Sequence, residues 1–242
     1  MEIKNPYSGD IALVSMRTQE SDTYSESRDA ISTDWSHCLA AAGLLAVPVP
    51  NFAAQVPELC GALRPVLIVL TGGDISPASP QMLARETAAV FRRDETERCL
   101  VDWAIDNGVP VLGVCRGMQF LNVYFGGSVS LSGSATAEPE TAHVAERHGV
   151  DILVAKWRDA ADGQERIDVN SYHEDCVIVD QLAEPLSIAA LSEGGQIVEG
   201  FCHADLPVLG IQWHPERESA LSNLDRKLIR FLTAPGSQDS NK

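Results

Sequence analysis

Basic residues are scarce in this chain: 18 Lys and Arg stand against 34 Asp and Glu, a net charge of −16. Such a chain repels nucleic acid and anionic membrane surfaces, so neither is expected as a partner. The sign leaves a small-molecule substrate open, because a local basic pocket fits inside an acidic protein. No stretch approaches the roughly 18 apolar residues of a membrane helix. No N-terminal apolar run preceded by basic residues marks a signal peptide. The six cysteines (Cys38, Cys60, Cys99, Cys115, Cys176 and Cys202) contain no C-x-x-C pair, which argues against a zinc ribbon or a redox dithiol. A cytoplasmic, reduced protein is the expectation. No internal repeat is evident.

Hydrophobic residues make up 45% of the 242 positions, enough for a substantial core. The length fits one large domain, residues 1–233, followed by a polar tail, residues 234–242. Apolar runs at Ile11–Met16, Leu44–Val49, Val66–Leu70 and Pro110–Val114 read as buried strands. Arg17–Arg28 reads as a polar stretch. Helical spacing predicts a helix from Asp29 to a C-terminal stop at Gly43, and another beginning with the acidic turn Asp94–Glu97 and ending near Asn107. A third runs from Arg116 to Phe125. Ser128–Glu146 reads as surface loop, its segment Ser132–Glu140 a candidate lid, with His143 and His148 as surface histidines. Asp151–Ala155, Ile167–Tyr172, Leu186–Leu191, Ile197–His203 and Val208–Gln212 are further strands, and Glu218–Leu232 is a closing amphipathic helix. Alternating strands and helices in the first half argue for a parallel sheet covered on both faces.

The chemistry gathers at Val111-Leu112-Gly113-Val114-Cys115-Arg116-Gly117-Met118-Gln119. An apolar strand ends at Gly-x-Cys-x-Gly and a helix follows, which is the layout of a nucleophile elbow with cysteine in the place of serine. The helix N-terminus beyond Cys115 favours an anion and so a thiolate. A thiolate nucleophile needs a base that can also protonate the leaving group, and a third group that orients the base. Gly210-Ile211-Gln212-Trp213-His214-Pro215-Glu216 offers both: His214 follows an apolar strand, and Glu216 can fix its tautomer. The oxyanion of acyl transfer would be held by the backbone N–H groups of Arg116 and of Gly73, which lies in the Thr71-Gly72-Gly73-Asp74 turn.

Gly-Val-Cys-Arg-Gly-Met-Gln, the Gly72-Gly73 turn and Gly-Ile-Gln-Trp-His-Pro-Glu together resemble the class I glutamine amidotransferase-like proteins, from Ile11 to Leu232. The resemblance implies a flavodoxin-like three-layer α/β/α sandwich with a mostly parallel central sheet. It also implies a Cys115-His214-Glu216 triad, cleavage of γ-glutamyl amides through a glutamyl thioester, and no metal or other cofactor. Gln119 resembles the family's substrate-proximal glutamine. Arg93-Asp94-x-x-Glu97 and Asn170-Ser171-Tyr172-His173 are similar to the free-standing γ-glutamyl hydrolase branch. There His173 would contact substrate, with Ser171 and Tyr172 beside it.

The branch includes γ-glutamyl-γ-aminobutyrate hydrolases of polyamine breakdown. The segment after Gly127 lacks their usual histidine-bearing start. Tyr24 to Ile31, with Trp35, looks more like members associated with surface-polysaccharide synthesis, among them a γ-glutamyl-CDP-amidate hydrolase type. On that reading Arg17, Arg28 or Arg93 would meet the substrate's diphosphate. The alternatives are a glutaminase subunit supplying ammonia to a separate synthase and a non-catalytic module. A small-molecule γ-glutamyl substrate is the expected partner, and a homodimer is left open.

Overall fold

The computed structural model describes residues 9–20, 26–73, 88–130 and 143–233. Five strands form its parallel half: β1 (Ile11–Ser15), β4 (Leu45–Val49), β5 (Leu67–Leu70), β6 (Val111–Val114) and β11 (Val208–Ile211). They lie in the order β4-β1-β5-β6-β11, every neighbouring pair parallel. The sheet continues through β10 (Val198–His203), β9 (Leu186–Ser192), β7 (His143–Ile152) and β8 (Arg166–His173), each pair antiparallel. The nine-stranded sheet is therefore parallel only from β4 to β11.

Both faces of the parallel half are covered, which is why its strands are apolar without alternation. Ala12, Val14, Val69 and Val114 pack on one side with Trp35 and Leu39 of α1 (Asp34–Ala41), Trp157 of α5 (Ala155–Ala160), and Leu228 and Ile229 of α6 (Asn223–Thr233). Leu13, Ile68, Leu70 and Val111 pack on the other side. There they meet Val56 and Cys60 of α2 (Val56–Leu63), Leu100 and Ala104 of α3 (Ala88–Asn107), and Met118 and Leu121 of α4 (Arg116–Tyr124). Alternate residues of each strand thus feed opposite cores, giving the α/β/α layering. One glycine sets the approach of α4: a Cβ on Gly117 would strike the backbone carbonyl of Leu70.

Several boundaries differ from the sequence expectations. The polar stretch holds two paired strands, β2 (Arg17–Glu20) and β3 (Ser27–Ala30). Their charged side chains are tolerated because this ribbon lies outside the main sheet. Asp29 consequently ends up in β3, and the helix expected from Asp29 starts at Asp34. The helix expected from Asp94 already runs from Ala88, so its acidic residues are interior and serve ion pairs instead of a first turn. β7 reaches back to His143, ends at Ile152, and Ala155 opens α5 where a strand was expected. The closing helix starts at Asn223, and it buries Ile229 while leaving Phe231 exposed. The candidate lid Ser132–Glu140, Asp74, the side chain of His143 and the tail 234–242 lie outside the described residues.

Candidate active site

Cys115 stands between β6 and α4 with φ +52 and ψ −109. A left-handed φ on a residue bearing a Cβ is strained, and such strain persists at sites where the surrounding structure enforces it. Here Cys115 N–H donates to Ile211 O of β11 at 2.8 Å, and its carbonyl accepts from Gln119 N–H of α4 at 3.1 Å. The strand on one side and the helix on the other leave no room to relax. The thiol is buried at the carboxyl edge of the parallel strands, the usual ligand edge of an open α/β sheet.

His214 leaves β11, the strand beside β6, at the same edge. Its Nδ1–H donates to Glu216 Oε1 at 2.7 Å, and both side chains are buried. Its backbone is clamped twice by Asn170 of β8: His214 N–H donates to Asn170 Oδ1 at 2.8 Å, and Asn170 Nδ2 donates to His214 O at 2.8 Å. The other ring nitrogen, Nε2, is buried with no described N or O partner, and Cys115 is near enough to act on the ring's charge. Burial disfavours the imidazolium, but Cys115 and Glu216 outweigh burial and raise its pKa to about 9. A Cβ on Gly72 would fall 2.7 Å from His214 Cε1 and 3.7 Å from Cys115 Cβ, so the turn after β5 closes over this pair.

Behind that turn lies a buried ionic network. Glu97 accepts from Arg93 Nε at 2.8 Å and from Ser15 Oγ at 2.8 Å, and it is ion-paired to Arg116. Arg116 also pairs with Asp94. Burial would push the Glu97 carboxyl up, but the two guanidinium groups hold it below the ordinary carboxylate range. Arg93 donates to Thr71 O at 2.7 Å and to Gly72 O at 3.2 Å. Ser15 Oγ accepts from Thr71 N–H at 3.0 Å. This corrects one expectation. Arg93 is not an arm reaching for a diphosphate: it is buried, and its donors serve Glu97 and the Gly72 turn.

The remaining predicted residues divide. Tyr172, 36% exposed, places its ring 5.6 Å from that of His214, edge to face, with the Arg217 guanidinium 4.1 Å over it. Ser171 and His173 are buried on the same strand. His173 Nδ1 donates to Asp175 O at 3.1 Å, and burial lowers its pKa. Gln119 Nε2 donates to Asp175 O at 2.8 Å, so its amide ties α4 to this segment instead of facing open space. Arg28 is exposed on β3, paired with Glu26. His148 is not a surface histidine: its Nε2 lies 3.2 Å from buried Glu199, and that carboxylate raises its pKa against burial. Sequence reasoning missed Asn170 as a clamp, Glu199 as a buried acid and Glu97 as a network centre. The i,i+4 spacing of Arg93 and Glu97 on one helix face was the available signal for the last.

Among the described residues, no group of three His, Cys, Asp or Glu side chains could hold a metal ion. No described helix is long and apolar enough to cross a membrane.

Comparison with known proteins gives the same site a family context. The Peptidase C26 family model matches residues 11–216. The chain is 27% identical over 205 residues to the gamma-glutamyl-CDP-amidate hydrolase of Campylobacter jejuni, covering 84% of this chain and 88% of that protein. It is 33% identical over 150 residues to a Schizosaccharomyces pombe protein named as a glutamine amidotransferase, covering 60% of this chain and 55% of that protein's length. In three dimensions it resembles a GMP synthase-type protein of Thermoplasma acidophilum, with TM-score 0.63, 23% identity, and 93% and 92% of the two chains covered. That last likeness is one of fold.

Proposed function

The chain belongs to the Peptidase C26 family of class I glutamine amidotransferase-like hydrolases, and from that premise we propose that it cleaves a γ-glutamyl amide with Cys115 as nucleophile, His214 as general base and acid, and Glu216 as the residue that orients His214. The observation that carries this reading is the strained Cys115 elbow set beside a histidine whose Nδ1 is held 2.7 Å from a buried carboxylate. Hydrogen bonding at Nδ1 fixes the tautomer and leaves Nε2 to exchange a proton with the thiol.

The Cys115 thiolate attacks the γ-carbonyl, and the carbonyl oxygen takes the electron pair as an oxyanion. The backbone N–H groups of Gly73 and Arg116 would receive that charge. His214 then donates its proton to the leaving nitrogen, the C–N bond breaks, and a γ-glutamyl thioester remains. Water, deprotonated by His214, attacks the thioester. Cys115 leaves as thiolate and glutamate is released. Tyr172, its ring against His214, would meet the substrate from β8, with Ser171 and His173 beside it in the strand.

For the leaving group, the reading favoured is a γ-glutamyl nucleotide amidate. Its support is the likeness to the Campylobacter jejuni hydrolase over most of both chains, together with Arg28 exposed at the edge where β3 lies. The test is glutamate release from γ-glutamyl-CDP-amidate, γ-glutamyl-γ-aminobutyrate and glutamine, with Cys115→Ala as the blank. Turnover of the nucleotide amidate well above the other two is expected. Preference for glutamine would point to a glutaminase subunit, and preference for γ-glutamyl-γ-aminobutyrate to polyamine breakdown.

A further inference from the structure

The two groups assigned to the oxyanion lie on different elements. Gly73 N–H belongs to the turn after β5, and Arg116 N–H to the first residue of α4. For both to aim at one atom, something must fix the turn against the helix. Backbone hydrogen bonds of the sheet do not do this, because the turn begins where β5 ends.

The ionic network joins them. A trans peptide is planar, with its C=O and N–H pointing in opposite directions. Arg93 holds Gly72 O at 3.2 Å, so it fixes the plane of the Gly72–Gly73 peptide and turns the Gly73 N–H away from itself. It holds Thr71 O at 2.7 Å and thereby fixes the preceding peptide as well. Gly73 also packs on both arginines: a Cβ there would collide with the Arg93 guanidinium and come 3.0 Å from Arg116 Cδ. Arg93 is held in turn through Nε by Glu97 Oε1, while Glu97 Oε2 binds the guanidinium of Arg116, whose own N–H is the second donor. Ser15 Oγ donates to the same Glu97 Oε1 and accepts from Thr71 N–H, a second route from Glu97 to the turn.

We propose that Glu97 is a positioning residue that aims both oxyanion donors, Gly73 N–H through Arg93 and Arg116 N–H through the Arg116 side chain. The proposal rests on the acyl-transfer reading above. A buried ion network is weak evidence for stability, since well-packed apolar residues often serve as well. A role in aiming donors is one that apolar packing does not supply.

The test compares Glu97→Gln and Arg93→Lys with wild type in three assays: glutamate release from γ-glutamyl substrates, acylation by 4-nitrophenyl acetate, and alkylation of Cys115 by iodoacetamide read on its peptide. The ester builds an oxyanion without glutamyl recognition, and alkylation builds none. In both variants kcat for glutamate release and the acylation rate are expected to fall together by about 10²-fold. KM and Cys115 alkylation should stay near wild type. Alkylation falling in step with acylation would make Glu97 merely structural and overturn the proposal, as would unchanged acylation. Should Glu97→Gln not fold, Arg93→Lys carries the same comparison. A wild-type enzyme that is acylated at Cys115 by the ester but releases no glutamate would overturn the substrate reading and leave the Glu97 comparison to the ester. A wild type inert to both removes the oxyanion and overturns the two together.

Discussion

The turn network behind β5 and the β8 side of the sheet treat buried polar groups in opposite ways. In the network, Ser15, Thr71, Arg93, Glu97 and Arg116 are all buried and all partnered with one another or with the turn backbone. In the antiparallel half and at its seam with β11, Ser171 Oγ, His173 Nε2, Glu199 Oε2 and Gln212 Nε2 are buried without a hydrogen-bond partner among the described residues. A buried group left unpaired costs about 1–3 kcal/mol, so a fold keeps several together only where something else is gained. The turn network is a finished mould that sets the elbow and the turn. The β8 side keeps hydrogen-bonding capacity uncommitted in its interior.

The largest effects should come from Cys115 and the residues beside it at the carboxyl edge of β6 and β11. Cys115→Ala should remove turnover by about 10⁴-fold or more while leaving the fold intact, because His214, the thiol's partner, stays held by Glu216 and Asn170. Glutamate release and a denaturation curve check both statements. Glu216→Gln should lower kcat by about 10²–10⁴-fold, because an amide at this position can present N–H to Nδ1 and favour the wrong tautomer. KM should change little. A Glu216→Gln enzyme with wild-type kcat would remove Glu216 from the proposed triad.

Two serines sharpen the comparison directly. Ser15→Ala strips a donor from Glu97 and an acceptor from Thr71 N–H, so it should destabilise by about 1–3 kcal/mol. Ser171→Ala removes a buried hydroxyl without a protein partner among the described residues, so stability should hold or rise while KM for the γ-glutamyl substrate increases. Equal losses of stability in chemical denaturation would erase the distinction between the two regions.

The pH dependence of stability should follow His214. Its folded pKa, about 9, lies above its ordinary 6.5, so its contribution is fully present below about pH 6.5 and is lost as pH rises through about 9. Cys115 is one of the two groups that raise it, so Cys115→Ala should shrink that slope. Urea unfolding at pH 6, 8 and 9.5 would show it, and an unaltered slope would detach the thiol from the imidazole.

The same contrast explains how much was legible beforehand. β5, β6 and β11 are continuous apolar runs because both faces are covered, and strands of that kind announce themselves. So did the elbow, since Gly113 and Gly117 frame Cys115 at spacings that the close approach of α4 to β5 requires. His214 and Glu216 lie two residues apart, so their pairing was readable as well. Asn170 was not, because its partner is a backbone 44 positions away and no local pattern marks that contact. Arg93 was misread for a related reason. A basic side chain near the strand ends reads as a ligand for a substrate anion, and only the fold reveals that Glu97 and two carbonyls hold it in the interior. The β2–β3 ribbon stayed hidden because a two-stranded element outside the core needs no apolar alternation.

The smallest effect tests the fringe of the parallel half. Arg28 is 57% exposed, and its guanidinium pairs at the surface with Glu26 at 2.5 Å. A surface pair of this kind is worth about 0–1 kcal/mol, so exchanging Glu26 for a substrate diphosphate costs little. The ribbon is not adrift, however. Asn51, just beyond β4, donates to Met16 O at 3.0 Å and to Asp29 Oδ1 at 2.8 Å, which pins the residue next to Arg28 to the carboxyl edge of the sheet. Arg28→Ala should therefore raise KM for γ-glutamyl-CDP-amidate by about 3–10-fold, the value of one charge-assisted contact at an exposed site. It should leave kcat unchanged, and γ-glutamyl-γ-aminobutyrate, which has no diphosphate, should be unaffected in both constants. A rise shared by both substrates would mean that the ribbon supports the site through its packing. A rise in neither would free Arg28 from recognition and move the search for a diphosphate partner to the β8 side.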